Sequence, residues 1–206
     1  MSLIDRREAV KRVSVLLGGI ALVGSGTGLL TACTKDRAPA ADTAAAGGNV
    51  GKFTSENVAV LDEVADTILP DTPKSPGAKA AKTGAFMALM VTDTYTEADQ
   101  KLFMDGMAAL DEASKKANGG ATFLKATPAQ RTALLTALDK EQFEFQKTRK
   151  PEQPQHWFRM MKELTMLGYF TSEVGYTKAM RYVETPGRFD PCIDYKPGET
   201  TWAAHA

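Results

Sequence analysis

The chain has 206 residues, with 25 Lys and Arg balanced by 25 Asp and Glu, and hydrophobic residues make up 43% of it. Its basic residues are dispersed and no long charge run occurs, which argues against a nucleic-acid partner. Two cysteines, Cys33 and Cys192, cannot form a paired CxxC metal site or hold a cysteine-bound cluster.

The first segment reads as an address. Arg6 and Arg7, then Lys11 and Arg12, precede a run from Val13 to Thr34 without a charged residue. A basic stretch followed by an apolar one is the layout of an export signal. Val13–Leu30 lies near the lower length limit for a bilayer span, and its glycines, including Gly18 and Gly19, weaken it further as a permanent helix. The spacing around Arg6 and Arg7 resembles the twin-arginine export signal. Leu30-Thr31-Ala32-Cys33 resembles a bacterial lipobox, where small residues precede a thiol that takes a lipid and becomes the mature N-terminus. The expected organisation is therefore a signal at 1–32, a lipidated Cys33 and flexible tether at 33–52, and one domain at 53–206. Localisation follows as periplasmic, lipid-anchored to the membrane. With Cys33 lipidated, Cys192 has no intramolecular partner.

Within the domain, Val58, Leu61, Val64 or Ala65, and Ile68 recur at helical spacing, with Thr54 or Ser55 as cap and Pro70 as stop. "PDTPKSPG" is too rich in proline for regular structure. A second helix is expected through Phe86, Met87, Met90 and Val91. A third spans Glu97 to about Ala117, with Leu102, Phe103, Met107 and Leu110 inward and Asn118-Gly119-Gly120 ending it. Thr127, Pro128 and Gln130 form a cap, an N1 proline and a capping-box partner, predicting a fourth helix through Leu134, Leu135, Leu138 and Phe143. Trp157, Met160, Met161, Leu164 and Leu167 or Gly168 mark a fifth. Thr171 to Tyr182 predicts a short sixth helix, and Pro186, Pro191 and Pro197 give the tail no helical period. The fold class is all-α, a small bundle of five to six helices with an extended Pro-rich C-terminal tail.

No catalytic constellation emerges. His156 and His205 are the two histidines, and Glu152 stands four residues before His156 with Pro154 between them, so no metal pair is expected. No glycine-rich loop follows a strand to cradle phosphate. Asp62, Glu63 and Asp66 read as hydrated surface, and Met160, Met161 and Met166 as core filler. Catalytic, cofactor-binding and metal residues are accordingly none. What remains is aromatic: Phe189, Tyr195 and Trp202 in the tail, Tyr169, Phe170 and Tyr176 in "GYFTSEVGY", and Trp157 at the head of the fifth helix. Such residues favour the cores of protein interfaces, so they are the expected partner-facing set.

"ADTILPDTPKSPGAKAAKTGAFM", "LGYFTSEVGYTKAMRYVETPGRFDPC" and "YKPGETTWA" together resemble the gluconate 2-dehydrogenase subunit 3 family, the small subunit of membrane-associated sugar dehydrogenases. The resemblance covers about Phe53 to Ala203. It implies a large partner of the glucose-methanol-choline oxidoreductase class that holds FAD, a cytochrome c as electron acceptor, and a small subunit that escorts the folded flavoprotein through the twin-arginine route. It supplies no catalytic residue in this chain. The competing expectation is a free-standing lipoprotein that binds or modifies carbohydrate, with His156 and Glu163 as its chemistry or Trp202 as its sugar-stacking surface.

Overall fold

A computed structural model describes residues 48–185, 187, 188, 192 and 194–203, all within the compact unit Asp42–Ala206. The expected signal with Arg6 and Arg7, the lipidation site Cys33, most of the tether and Phe189 lie outside the described residues. Five α-helices form: α1 Ser55–Ile68, α2 Thr83–Thr94, α3 Glu97–Ala117, α4 Pro128–Thr148 and α5 Trp157–Phe170. A 3-10 turn at Phe123–Lys125 and a π-helical turn at Gly175–Ala179 complete the regular structure, and the described residues contain no strand. The all-α expectation holds. Among the described residues, no helix is long and apolar enough to cross a membrane.

The helix starts follow side-chain chemistry. Thr54 accepts the Asn57 N–H at 3.2 Å while Asn57 Oδ1 accepts the Thr54 N–H at 3.0 Å, a reciprocal box that opens α1. Thr127 and Gln130 repeat the arrangement at α4, with Pro128 at N1. Thr96 caps α3 and His156 caps α5, its Nδ1 accepting the Phe158 N–H at 3.2 Å.

Helix α1 is the hub, packing against α2, α4 and α5. Val58, Leu61 and Ala65 join Met87, Ala88 and Val91 of α2, Phe103 and Met107 of α3, and Met161 and Leu164 of α5 in one cluster. Val64 turns to a second cluster with Leu110, Phe123, Leu135, Leu138 and Phe158. Burying such side chains gains about 1.5–3 kcal/mol each, so α1 holds the bundle from both sides. Close approaches need glycine at the crossings. A Cβ on Gly84 of α2 would stand 2.7 Å from the Val58 carbonyl oxygen and 2.6 Å from the Asp62 backbone nitrogen.

Two expectations need correction, the surface carboxylates of the first helix and the extent of the sixth. Asp62 and Glu63 are structural clamps rather than hydrated surface: Asp62 Oδ1 accepts the Gly84 N–H at 2.8 Å, and Glu63 pairs with Lys79 and Arg131. Burial disfavours the Glu63 carboxylate, but the Lys79 hydrogen bond and the Arg131 charge outweigh it and hold its pKa below the ordinary range. Phe143 is 59% exposed, because it lies five residues beyond Leu138 and so more than a third of a turn off its face; Gln142 takes the buried place. The expected sixth helix is a single π turn. The 3-10 turn was not expected, since three residues carry no period; Phe123 is fixed there by its N–H donating to Asp111 Oδ1 at 2.8 Å.

Candidate functional site

The C-terminal segment folds back on Arg181. Its N–H donates to the Thr201 carbonyl at 2.9 Å, and its own carbonyl accepts the Ala203 N–H at 2.8 Å. The guanidinium lies 4.4 Å over the Trp202 ring, and Nη2 reaches Glu199 at 3.3 Å. Backbone, cation–π and ionic contacts thus converge on one residue, and each alone is worth about 1 kcal/mol or less at a half-exposed site. Ala203 is buried, while Tyr195, between the two ends of the clasp, is 75% exposed. Sequence spacing gave no sign of Arg181, because its partners lie about twenty residues along a proline-rich segment.

The turn that carries this clasp is set by Ser172 and Gly175. Ser172 Oγ donates to the Tyr169 carbonyl at 2.7 Å and accepts the Gly175 N–H at 3.0 Å. A Cβ on Gly175 would fall 1.9 Å from the Tyr169 carbonyl oxygen, so no other residue fits. The turn places Tyr176 edge-on to Tyr182, with ring centroids 5.2 Å apart.

The expected partner-facing aromatics therefore divide. Tyr176, Trp202 and Tyr195 belong to the C-terminal segment, with Tyr182 added by the structure. Phe170 is half-buried at the end of α5, edge-on to Tyr169 at 5.1 Å. Tyr169 is a correction: it is 3% exposed, and its hydroxyl donates to the Pro76 carbonyl at 2.5 Å, so it braces the loop before α2. Trp157 is half-buried and packs on Gly106 of α3, where a Cβ would meet its indole at 2.7 Å. Both serve the fold in this conformation. A helical period cannot separate an aromatic that fills a groove between helices from one that faces outward.

The pairing of His156 with Glu163 is not formed. His156 Nε2 faces Glu141 at 3.4 Å, and Glu163 pairs with Arg159 at 2.7 Å. A cleft of about 670 Å³ opens beside Glu163, lined also by Tyr95, Asp99, Arg149, Glu152 and Met160. Burial raises the Tyr95 pKa, and the charges of Glu163 and Asp99 add to it. The Arg149 side chain is spent on loop carbonyls, donating to Gln153 and Pro154. Among the described residues no group of three or more His, Cys, Asp or Glu could hold a metal ion.

A family model described as gluconate 2-dehydrogenase subunit 3 matches residues 55–187, from the first residue of α1 to just past the turn that carries Arg181. No curated protein and no solved structure matches the chain.

Proposed function

The chain belongs to the gluconate 2-dehydrogenase subunit 3 family, and from that premise we propose that it is the non-catalytic small subunit of a periplasmic, membrane-associated sugar dehydrogenase. The family match carries this reading, since it makes the chain one component of a multi-subunit enzyme. The larger subunit is a glucose-methanol-choline type oxidoreductase. Its FAD accepts hydride from a hydroxyl of gluconate, glucose, fructose or a glucoside, and a cytochrome c takes the electrons onward. This chain contributes recognition and transport. Arg6 and Arg7 direct twin-arginine export of the folded pair, and a lipid on Cys33 tethers it. The aromatic C-terminal segment gathered by Arg181 faces the flavoprotein, where rigid aromatics give contact area at small entropic loss.

The test is a mild-detergent pull-down of the chain tagged at its C-terminus, with an absorption spectrum and mass spectrometry. A yellow complex containing a much larger flavoprotein is expected. A colourless, solitary lipoprotein would overturn the reading. The cleft beside Tyr95 and Glu163 favours one alternative, a free-standing lipoprotein that binds or modifies carbohydrate, because carboxylates beside an aromatic ring suit sugar hydroxyls. Calorimetry of the purified chain against gluconate, glucose and fructose decides it, and silent titrations remove it.

A further inference from the structure

Four segments build the cleft beside Tyr95. Tyr95 follows the last residue of α2, Asp99 lies in the first turn of α3, Arg149 and Glu152 belong to the loop between α4 and α5, and Met160 and Glu163 come from α5. Its volume of about 670 Å³ falls within the range of small-ligand sites. Met160 is 5% exposed and gives the cleft an apolar wall beside the half-buried Tyr95.

The charged groups of the lining leave acceptors in surplus. Asp99, Glu152 and Glu163 bring three carboxylates from three segments. Two guanidinium groups stand near them, and both are engaged. Arg149 donates through Nε to the Pro154 carbonyl at 3.1 Å and through Nη2 to the Gln153 carbonyl, so it closes the loop instead of answering a carboxylate. Arg159 takes Oε1 of Glu163 at 2.7 Å. Asp99 Oδ2 accepts the Thr96 hydroxyl at 2.7 Å. Oδ1 of Asp99, Oε2 of Glu163 and the Glu152 carboxylate remain as acceptors that no described residue engages. Burial, and after it the charges of Glu163 and Asp99, raise the Tyr95 pKa, and no cation counters them at its hydroxyl.

We propose that this cleft binds an ammonium or guanidinium group on an aliphatic stem, brought by a lysine or arginine of a second protein chain. The remaining carboxylate oxygens accept its N–H groups in charge-assisted hydrogen bonds, and Met160 with the Tyr95 ring covers its methylenes. Among the described residues no group of three or more His, Cys, Asp or Glu could hold a metal ion, so these carboxylates are spaced for a larger cation. An anion such as gluconate meets repulsion at the same place, and a neutral sugar forgoes the ionic attraction. A free polyamine offers the same chemistry as the side chain, and the experiment separates the two sources.

The experiment is calorimetry of the full chain in mild detergent against an acetylated, amidated pentapeptide containing one lysine and one arginine, against spermidine, and against glucose and gluconate. The compared forms are wild type, Glu152→Gln with Glu163→Gln, and the control Glu112→Gln, whose side chain is 74% exposed on α3. Circular dichroism reports folding. Glu152→Gln alone, in the loop and outside the ion pairs of the fold, replaces the double variant if the helical signal falls. Saturable binding of the peptide is expected, weakened about tenfold or more in the double variant and unchanged in the control. Raising the ionic strength from about 0.01 to about 0.15 M should weaken it severalfold. Spermidine bound with the peptide silent keeps the cation chemistry and overturns its protein source. A silent wild type, equal weakening in the control and the double variant, or binding of a sugar alone overturns the site. None of these outcomes touches the small-subunit reading, which stands or falls on the flavoprotein in the pull-down.

Discussion

Helices α2 and α4 both pack on α1, yet they are finished differently. Helix α4 buries Leu135, Leu138 and Gln142 and turns Lys140, Glu141, Glu144 and Lys147 to water, with Lys147 paired to Glu144 at 2.7 Å. Helix α2 buries five of its twelve residues, and polar side chains among the remainder are confined to its last turn, at Thr92, Asp93 and Thr94. Adjacent carboxylates on α1 mark the same division. Glu63 holds α4 through the Arg131 ion pair, whereas Asp62 holds α2 through the Gly84 N–H. The lesson is that α4 is complete with water outside it, and α2 is complete on its inner side alone.

The strongest break of this contrast is at the inner side of α2. Gly84→Val would drive a branched side chain against the backbone of Val58 and Asp62, atoms that cannot swing away. Overpacking of this kind costs about 3 kcal/mol. Urea denaturation of the isolated chain should show the midpoint fall sharply. A near-unchanged midpoint would mean that α1 and α2 are not in close contact.

How much of this was legible depends on whether a periodic pattern reported it. Leu61, Met87, Phe103, Leu110 and Leu164 recur at helical spacing and were all expected inside, as was the capping box at Thr127 and Gln130. The roles of Glu63 and Arg181 were invisible, since each depends on a partner far along the chain: Arg131 for the first, Trp202 for the second. Tyr169 failed for a related reason. Aromatic content pointed to an interface, but the groove it fills is made by the loop at Pro76.

The two carboxylates should separate next in order of size. Replacing Glu63 by Gln removes the charge shared by Lys79 and Arg131, with an expected loss of about 2 kcal/mol at neutral pH. Because the folded chain holds the Glu63 pKa below its ordinary 4.5, the unfolded chain takes up the proton first. The stability from this group is therefore present above that value and lost as pH falls through the folded pKa. Asp62 runs the other way. Burial raises its pKa above 3.8, with the Gly84 N–H and the Lys79 charge lowering it only in part. The folded chain keeps that proton where the unfolded chain has released it, so the Asp62 contribution declines as pH rises through this window. Asp62→Asn retains an acceptor for Gly84 and should match or exceed wild-type stability at neutral pH. Denaturation midpoints between pH 3 and 7 check both signs, and parallel curves for the two variants would refute the division.

A smaller effect is expected at the start of α4. Thr127→Ala removes the oxygen that accepts the Gln130 N–H, at about 1 kcal/mol. Gln130→Ala should cost less, because the exposed Thr127 N–H can turn to water. Thermal unfolding of both variants orders them, and a larger loss for Gln130 would show that its side chain bonds elsewhere.

The smallest predicted effects bear most directly on the contrast. Phe143→Ser on α4 and Leu89→Ser on α2 both replace a side chain that is about half in water, at 59% and 49% exposure. Each should move the stability of the isolated chain by no more than about 0.5 kcal/mol, the range for surface substitutions. Equal, small shifts would mean that the outer side of α2 does nothing for the isolated fold, so its apolar character requires a reason outside the chain. A loss near 2 kcal/mol at Leu89 alone would show instead that the segments around α2 already cover it in solution. The asymmetry between the two helices would then be a matter of packing within this chain rather than of a surface awaiting a second one.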